Sequence, residues 1–223
     1  MSGEWVAAWL RASAGAVAAE ADWFTSLDAA IGDGDHGINL ARGFGRVLDV
    51  LDGPGVADLD AGDLLVAAGR AIMGSVGGAS GALYGRALLR AGAAVSRQAG
   101  TDAPPGDPPA SDGPLTAVTL AMDAAVDAIA TLGRSAPGDK TMLDALVPAA
   151  RAAHDGLDAG DPLDRALSRM AEAAQAGLES TRPLVARRGR ASYLGERSAG
   201  HLDPGAASAA LLIRVLSETA RAG

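Results

Sequence analysis

Three aspartates fall within eight residues in the segment Leu27-Asp28-Ala29-Ala30-Ile31-Gly32-Asp33-Gly34-Asp35-His36-Gly37-Ile38-Asn39. Carboxylates this close repel one another and resist joint ionisation. A divalent cation removes the conflict, because carboxylate oxygens are hard ligands and Mg²⁺ is commonly held by a few of them together with substrate phosphates. The intervening glycines let the backbone turn so that Asp28, Asp33 and Asp35 converge. The plainer alternative is a solvated acidic turn between two helices. Gly32, Gly34 and Gly37 also reproduce the spacing of the dinucleotide fingerprint. That motif needs a preceding strand and bare backbone contact with pyrophosphate. Here a helix precedes it and aspartates fill its variable positions, which excludes a Rossmann site.

Two further segments combine glycine with polar residues. Gly74-Ser75-Val76-Gly77-Gly78-Ala79-Ser80-Gly81 leads into a helix starting near Ala79. Backbone N–H groups at a helix N-terminus attract phosphate, and Ser80 adds a hydroxyl. A tight turn between two touching helices would have the same composition. Gly133-Arg134-Ser135-Ala136-Pro137-Gly138-Asp139-Lys140-Thr141 imitates a Walker A loop, but Asp139 interrupts Gly-Lys and no strand leads in. It is better read as a loop in which Asp139 or Thr141 caps the next helix. Any ligand contact there would come from its backbone or from Met142.

The fourth segment, from Arg182 to Gly205, gathers five arginines in a chain of formal net charge -8. Guanidinium forks match phosphoryl oxygens and stabilise charge that develops during transfer. A solvated basic loop with Glu196 and Arg197 paired is the ordinary alternative. Asp203-Pro204 reads as N-cap and first position of the last helix. Of the three histidines, His154 falls at an exposed helix end. His36 and His201 sit in the loops just described, without zinc-motif spacing.

Elements able to position such loops are helical. Leu64, Ala67, Ala68 and Ala71 share one helical face, as do Ala121, Ala124, Ala125 and Ala128. No run alternates apolar and polar residues as a strand would. The spacing predicts eight helices near 3–21, 37–51, 60–73, 79–97, 115–132, 141–156, 161–180 and 205–221, with no sheet and no internal repeat. Alanine supplies much of the 48% hydrophobic fraction, so the helices can approach closely. The Pro- and Gly-rich stretch 100–114 is expected as a surface loop, with residues 1–223 forming one domain. The acidic balance disfavours nucleic acid. No cysteine is present, which excludes disulfides and thiolate metal sites. The N-terminus lacks a signal-peptide pattern and no stretch of about 18 apolar residues occurs, so a cytoplasmic protein is expected.

Ile31-Gly32-Asp33-Gly34-Asp35-His36-Gly37, Gly77-Gly78-Ala79-Ser80-Gly81, Gly138-Asp139-Lys140-Thr141-Met142 and Gly189-Arg190-Ala191-Ser192-Tyr193-Leu194-Gly195-Glu196-Arg197-Ser198, with Asp203-Pro204-Gly205 after it, occur in this order. Over residues 3–221 the chain thereby resembles the nucleotide-binding L subunits of dihydroxyacetone kinases. The resemblance implies an all-α, antiparallel eight-helix barrel with the nucleotide in the loops at one end. It implies that Asp28, Asp33 and Asp35 hold two Mg²⁺ ions bridging to phosphates. His36, Gly37, Ile38, Asn39, Ala79 and Ser80 would line the phosphates, while Gly133, Met142, Asp203, Pro204 and Gly205 border ADP or ATP. Arg187 or Arg188 would assist transfer.

The family's substrate subunit binds dihydroxyacetone through a histidine in a separate domain that nothing here resembles, so the resemblance implies half of an enzyme. Its partner would be that substrate subunit, and its phosphate source either ATP or bound ADP rephosphorylated by a phosphohistidine protein of the sugar phosphotransferase system. A free-standing L chain favours the second. A homodimer, a different small ketose or polyol as acceptor, and a non-catalytic ADP sensor docking on a regulator stay open.

Overall fold

The computed structural model describes residues 1–75, 77–99 and 113–222. Nine α-helices occur among the described residues: α1 (Gly3–Ala19), α2 (Ala21–Ile31), α3 (His36–Leu51), α4 (Ala61–Ser75), α5 (Gly78–Ala99), α6 (Pro114–Gly133), α7 (Leu143–Asp158), α8 (Leu163–Ser180) and α9 (Pro204–Ala222). Two 3₁₀ segments, Val56–Asp58 and Arg190–Ser198, complete the elements, and no strand occurs among the described residues. Residues 100–112 of the expected 100–114 loop lie outside the described residues.

Eight helices close a ring. α1 packs on α3, and each helix from α3 to α8 packs on its successor. α9 then returns to α1, making an antiparallel helical barrel. α2 lies against α3 and also touches α9 and the 3₁₀ segment Arg190–Ser198. The expected count of eight therefore matches the staves but missed α2. The spacing ends the first helix near residue 21 and places none between there and residue 37. The chain instead bends at Glu20 (φ -100°, ψ 6°) and resumes helix, because Phe24, Asp28 and Ile31 recur on one buried face. Asp28 consequently belongs to the last turn of a helix, not to a loop.

Glycine sets how closely α4 and α5 meet. A Cβ on Gly92 would lie 2.5 Å from Gly62 O, and one on Gly85 would lie 2.8 Å from Gly69 O. These contacts are backbone against backbone, so only hydrogen fits between the helices. Leu10, Leu40, Phe44, Ile72, Leu167 and Met170 fill the barrel interior. An apolar cavity of about 110 Å³ remains among Trp5, Trp9, Leu88, Val118 and Leu216. Its wholly apolar wall offers a nucleotide no partner.

α7 contains Pro148, which cannot donate to Asp144 O. α8 packs against that carbonyl: a Cβ on Gly177 would lie 2.1 Å from Asp144 O. The helix starts at Leu143 because Thr141 and Asp144 cap it reciprocally. The Leu143 N–H donates to Thr141 Oγ1 (3.2 Å), and Asp144 Oδ2 accepts from the Thr141 N–H (2.7 Å). Asp123 and Asp127 interrupt α6, so it holds no unbroken apolar run of about 18 residues. By overall length and composition, this 20-residue helix is nevertheless apolar enough to cross a membrane (mean hydropathy 1.5). Here it serves as a barrel stave between α5 and α7.

Candidate functional site

Asp28 organises the acidic loop. Its Oδ2 accepts from the N–H groups of Asp35 (2.9 Å) and His36 (3.2 Å), folding residues 32–35 back over the end of α2. Gly32 permits this, since a Cβ there would lie 2.1 Å from Asp28 Oδ1. Gly34 makes the turn at φ 72°, the left-handed region that favours glycine. One carboxylate oxygen from each of Asp28, Asp33 and Asp35 then lies within 4.8 Å of the others, with Asp28 buried and the other two exposed. Three converging hard donors with open sides fit a divalent cation that keeps positions free for water or phosphate oxygens.

These carboxylates line one wall of a cleft of about 250 Å³. The facing wall is the start of α5. Gly77, Gly78, Ala79 and Ser80 line it, and Gly78 turns the chain at φ 73°. First-turn N–H groups have no intrahelical acceptor, so they remain available to an anion. Between the two walls stands His36, 6% exposed, with Nδ1 3.1 Å from Ser80 Oγ and Nε2 2.9 Å from Ser208 Oγ. Burial lowers its pKa below the ordinary value and outweighs the raising influence of Asp28 and Asp35. A neutral ring has one donor and one acceptor nitrogen, which fits a relay between two hydroxyls. The ring therefore fixes Ser80.

The far end of the cleft is made by Gly133, Ser135, Lys140, Thr141 and Met142 together with Asp203, Pro204 and Gly205. Asp203 caps α9: its Oδ2 accepts from the Ala206 N–H at 2.7 Å, and Pro204 follows as the first helical residue. Burial raises the Asp203 pKa to about 7. Lys140 is almost wholly buried, and its ammonium donates to Thr181 O (2.7 Å) and His201 O (2.5 Å). That engagement excludes the Walker role for this lysine. Asp139 does not cap α7; its Oδ2 accepts from the Ala136 N–H at 3.0 Å.

The arginine segment closes the cleft. Arg190 Nε lies 3.0 Å from Asp33 Oδ2, and Arg188 Nε lies 3.5 Å from Asp139 Oδ2. Both side chains line the cleft, with Gly189 and Ala191.

The fold thus brings to one cleft Asp28, Asp33, Asp35, His36, Ala79, Ser80, Gly133, Met142, Arg188, Asp203, Pro204 and Gly205. Gly37, Ile38, Asn39 and Arg187 lie outside its lining. Gly37 has a packing duty, because a Cβ there would lie 1.9 Å from Ala21 O where α3 starts against α2. Ile38 points outward at 56% exposed, and Asn39 Oδ1 accepts from Arg42 at 3.3 Å. Sequence reasoning passed over Arg190, Lys140 and Ser208. Arg190 carried a signal, since it sits inside the long Gly189–Ser198 motif. Ser208 carried none: it is one more small residue on an alanine-rich helix.

Residues 30–218 match the DAK2 domain, and the chain belongs to that family, the L subunits of dihydroxyacetone kinases. It is 36% identical over 214 residues to the ADP-binding subunit DhaL of the PEP-dependent dihydroxyacetone kinase of Escherichia coli (strain K12), covering 96% of this chain and 95% of that one. It is 40% identical over 199 residues to the corresponding subunit of PEP-dependent dihydroxyacetone kinase 2 of Listeria innocua serovar 6a, covering 89% and 86%. The crystal structure of the dihydroxyacetone kinase of C. freundii in its native form superposes with a TM-score of 0.69 at 25% identity. The match covers 96% of this chain but 34% of that longer kinase.

Proposed function

We propose that this chain is the Mg–ADP-binding phosphoryl-transfer subunit of a dihydroxyacetone kinase, acting in the cytoplasm on dihydroxyacetone held by a separate subunit. The observation that carries the proposal is the cleft itself: three converging carboxylates on one wall, a helix N-terminus with Ser80 on the other, and Arg190 between them. The E. coli and L. innocua relatives are named as ADP-binding subunits of PEP-dependent kinases. That favours bound ADP recharged by a phosphohistidine protein over exchange of free ATP.

Asp28, Asp33 and Asp35 offer six carboxylate oxygens, enough to share between two Mg²⁺ ions. When bound, these ions would screen the phosphate charge and polarise the phosphoryl oxygens. The α5 N-terminus and Ser80 hold phosphate oxygens, with His36 keeping the hydroxyl in place. Gly133, Met142, Asp203, Pro204 and Gly205 border the rest of the nucleotide. Arg190 and Arg188 approach from the loop and stabilise the charge that develops on the phosphoryl group as it moves.

Phosphoryl transfer requires both reactants in line. The cleft supplies one of them, so the chain needs a substrate subunit. Formation of dihydroxyacetone phosphate, measured with each component omitted in turn, tests this. Product should appear only when this chain, a substrate-binding subunit and a phosphate donor are all present. Robust product from this chain with ATP and Mg²⁺ alone would defeat the reading.

A further inference from the structure

The arginine loop begins and ends on one buried ammonium. Lys140 Nζ donates to Thr181 O, where the chain leaves α8, and to His201 O, where it turns back towards α9. All five arginines of the segment, Arg182 through Arg197, lie between those two carbonyls. Lys140 adopts φ 63°, a conformation uncommon for a residue with a Cβ. The neighbouring Asp139 grips the middle of the same loop. Its carbonyl accepts from the Arg187 N–H at 3.0 Å, and its carboxylate faces Arg188 at 3.5 Å.

The gripping residues are themselves anchored to a rigid stave. Asp144, in the first turn of α7, accepts from the N–H groups of Gly138 (2.5 Å) and Thr141 (2.7 Å), fixing both sides of Asp139-Lys140. The mouth of the loop is closed by the Gly200 N–H on Arg182 O (2.7 Å) and the Asp203 N–H on Thr181 Oγ1 (3.0 Å). A continuous set of contacts therefore runs from α7 through Asp139-Lys140 to the loop that sets Arg190 against Asp33.

We propose that Asp139 and Lys140 form a clasp that positions the arginine loop, so that Lys140 acts on phosphoryl transfer through Arg190 and Arg188 without touching the phosphates. The ammonium suits this task. It is a compact point charge with several donors, so it can hold two carbonyls 20 residues apart in sequence at once. The consequence for transfer rests on the proposed function; the mechanical role of the clasp does not.

The test uses Lys140→Met, Lys140→Arg and Asp139→Asn in the full chain. Hydrogen exchange of residues 182–200 is measured without nucleotide, Mg–ADP affinity by calorimetry, and transfer with the complementing substrate subunit. In Lys140→Met, loop exchange should speed by about tenfold or more while α5 and α9 stay protected. Transfer should fall roughly 100-fold, since small misplacement of a catalytic group has effects of that size. Mg–ADP affinity should change by less than about threefold, because the clasp acts on the arginines that matter in the transition state. Lys140→Arg should recover part of both losses. Asp139→Asn keeps the buried lysine and the backbone bond to the Arg187 N–H and removes only the charge facing Arg188, so it should speed exchange around Arg188 alone and by less than Lys140→Met does.

Unchanged loop exchange in both Lys140→Met and Asp139→Asn would overturn the clasp. So would affinity and rate falling in step with general helix unfolding in both variants. Failure of the wild-type chain to bind Mg–ADP would count against the proposed function and leave the exchange result standing.

Discussion

Arg190 Nε rests 3.0 Å from Asp33 Oδ2, joining the arginine loop to the acidic loop across the mouth of the cleft. Both side chains are substantially exposed, so the pair itself adds little stability. Its importance lies in position: the guanidinium waits beside a carboxylate that would hold a cation, where the transferring phosphoryl group would pass.

Arg190→Ala should therefore slow transfer by roughly 100-fold or more, with a much smaller change in Mg–ADP affinity. Arg187→Ala should do far less, because the Arg187 side chain lies outside the cleft lining and its backbone N–H is what meets Asp139. Single-turnover rates and calorimetry on the two variants check this. Equal rate losses would show that geometry at the cleft does not distinguish them.

Asp35→Asn should weaken nucleotide binding roughly tenfold or more in Mg²⁺ and little in chelator, because the carboxylate acts through the cation. Asp35 makes no side-chain capping bond to α3, so the substitution leaves the local fold intact. Titrations with and without Mg²⁺ decide the matter, and an equal loss in both would remove Asp35 from the metal set.

Asp203 predicts a pH dependence. Its pKa in the fold, about 7, lies above the ordinary carboxylate value of 3.8. Between those values the folded state binds more protons than the unfolded state, so this group makes stability fall as pH rises from about 4 to about 7. The slope it contributes is on the order of 1 kcal/mol per pH unit. Asp203→Asn keeps a capping side chain and removes the titration. Urea unfolding of the nucleotide-free protein across this range should show the wild-type minus variant difference becoming less favourable with pH. A flat difference would mean that Asp203 stays ionised in the fold.

Gly92→Ala tests the packing that places the start of α5. Helix propensity alone would favour alanine by up to about 1 kcal/mol. The Cβ would meet Gly62 O at 2.5 Å and Val66 Cγ2 at 2.9 Å, and a backbone oxygen cannot move aside alone. The clash should prevail, with a net loss of roughly 1–3 kcal/mol in chemical denaturation. A stabilised variant would show that α4 and α5 separate freely.

The sequence by itself determined the helical class, because a 3.6-residue repeat of alanine and leucine with no alternation excludes a sheet. It also made the residue types of the candidate site legible, since clustered Asp, Gly, Ser and Arg can be read without coordinates. Ring closure, the extra helix α2 and the roles of single residues within the motifs were decided only by tertiary contacts. Asp28 and Gly37 sit in one short segment, yet the first faces the cleft and the second packs on Ala21 O. Arg187 and Arg190 lie three residues apart, yet only Arg190 reaches Asp33. Lys140 imitates a phosphate-binding lysine in sequence, yet its ammonium is committed to Thr181 O and His201 O. Periodicity and composition record what a residue can do. Its direction in a loop depends on which distant carbonyl, carboxylate or helix the rest of the chain brings within reach, and no local spacing encodes that.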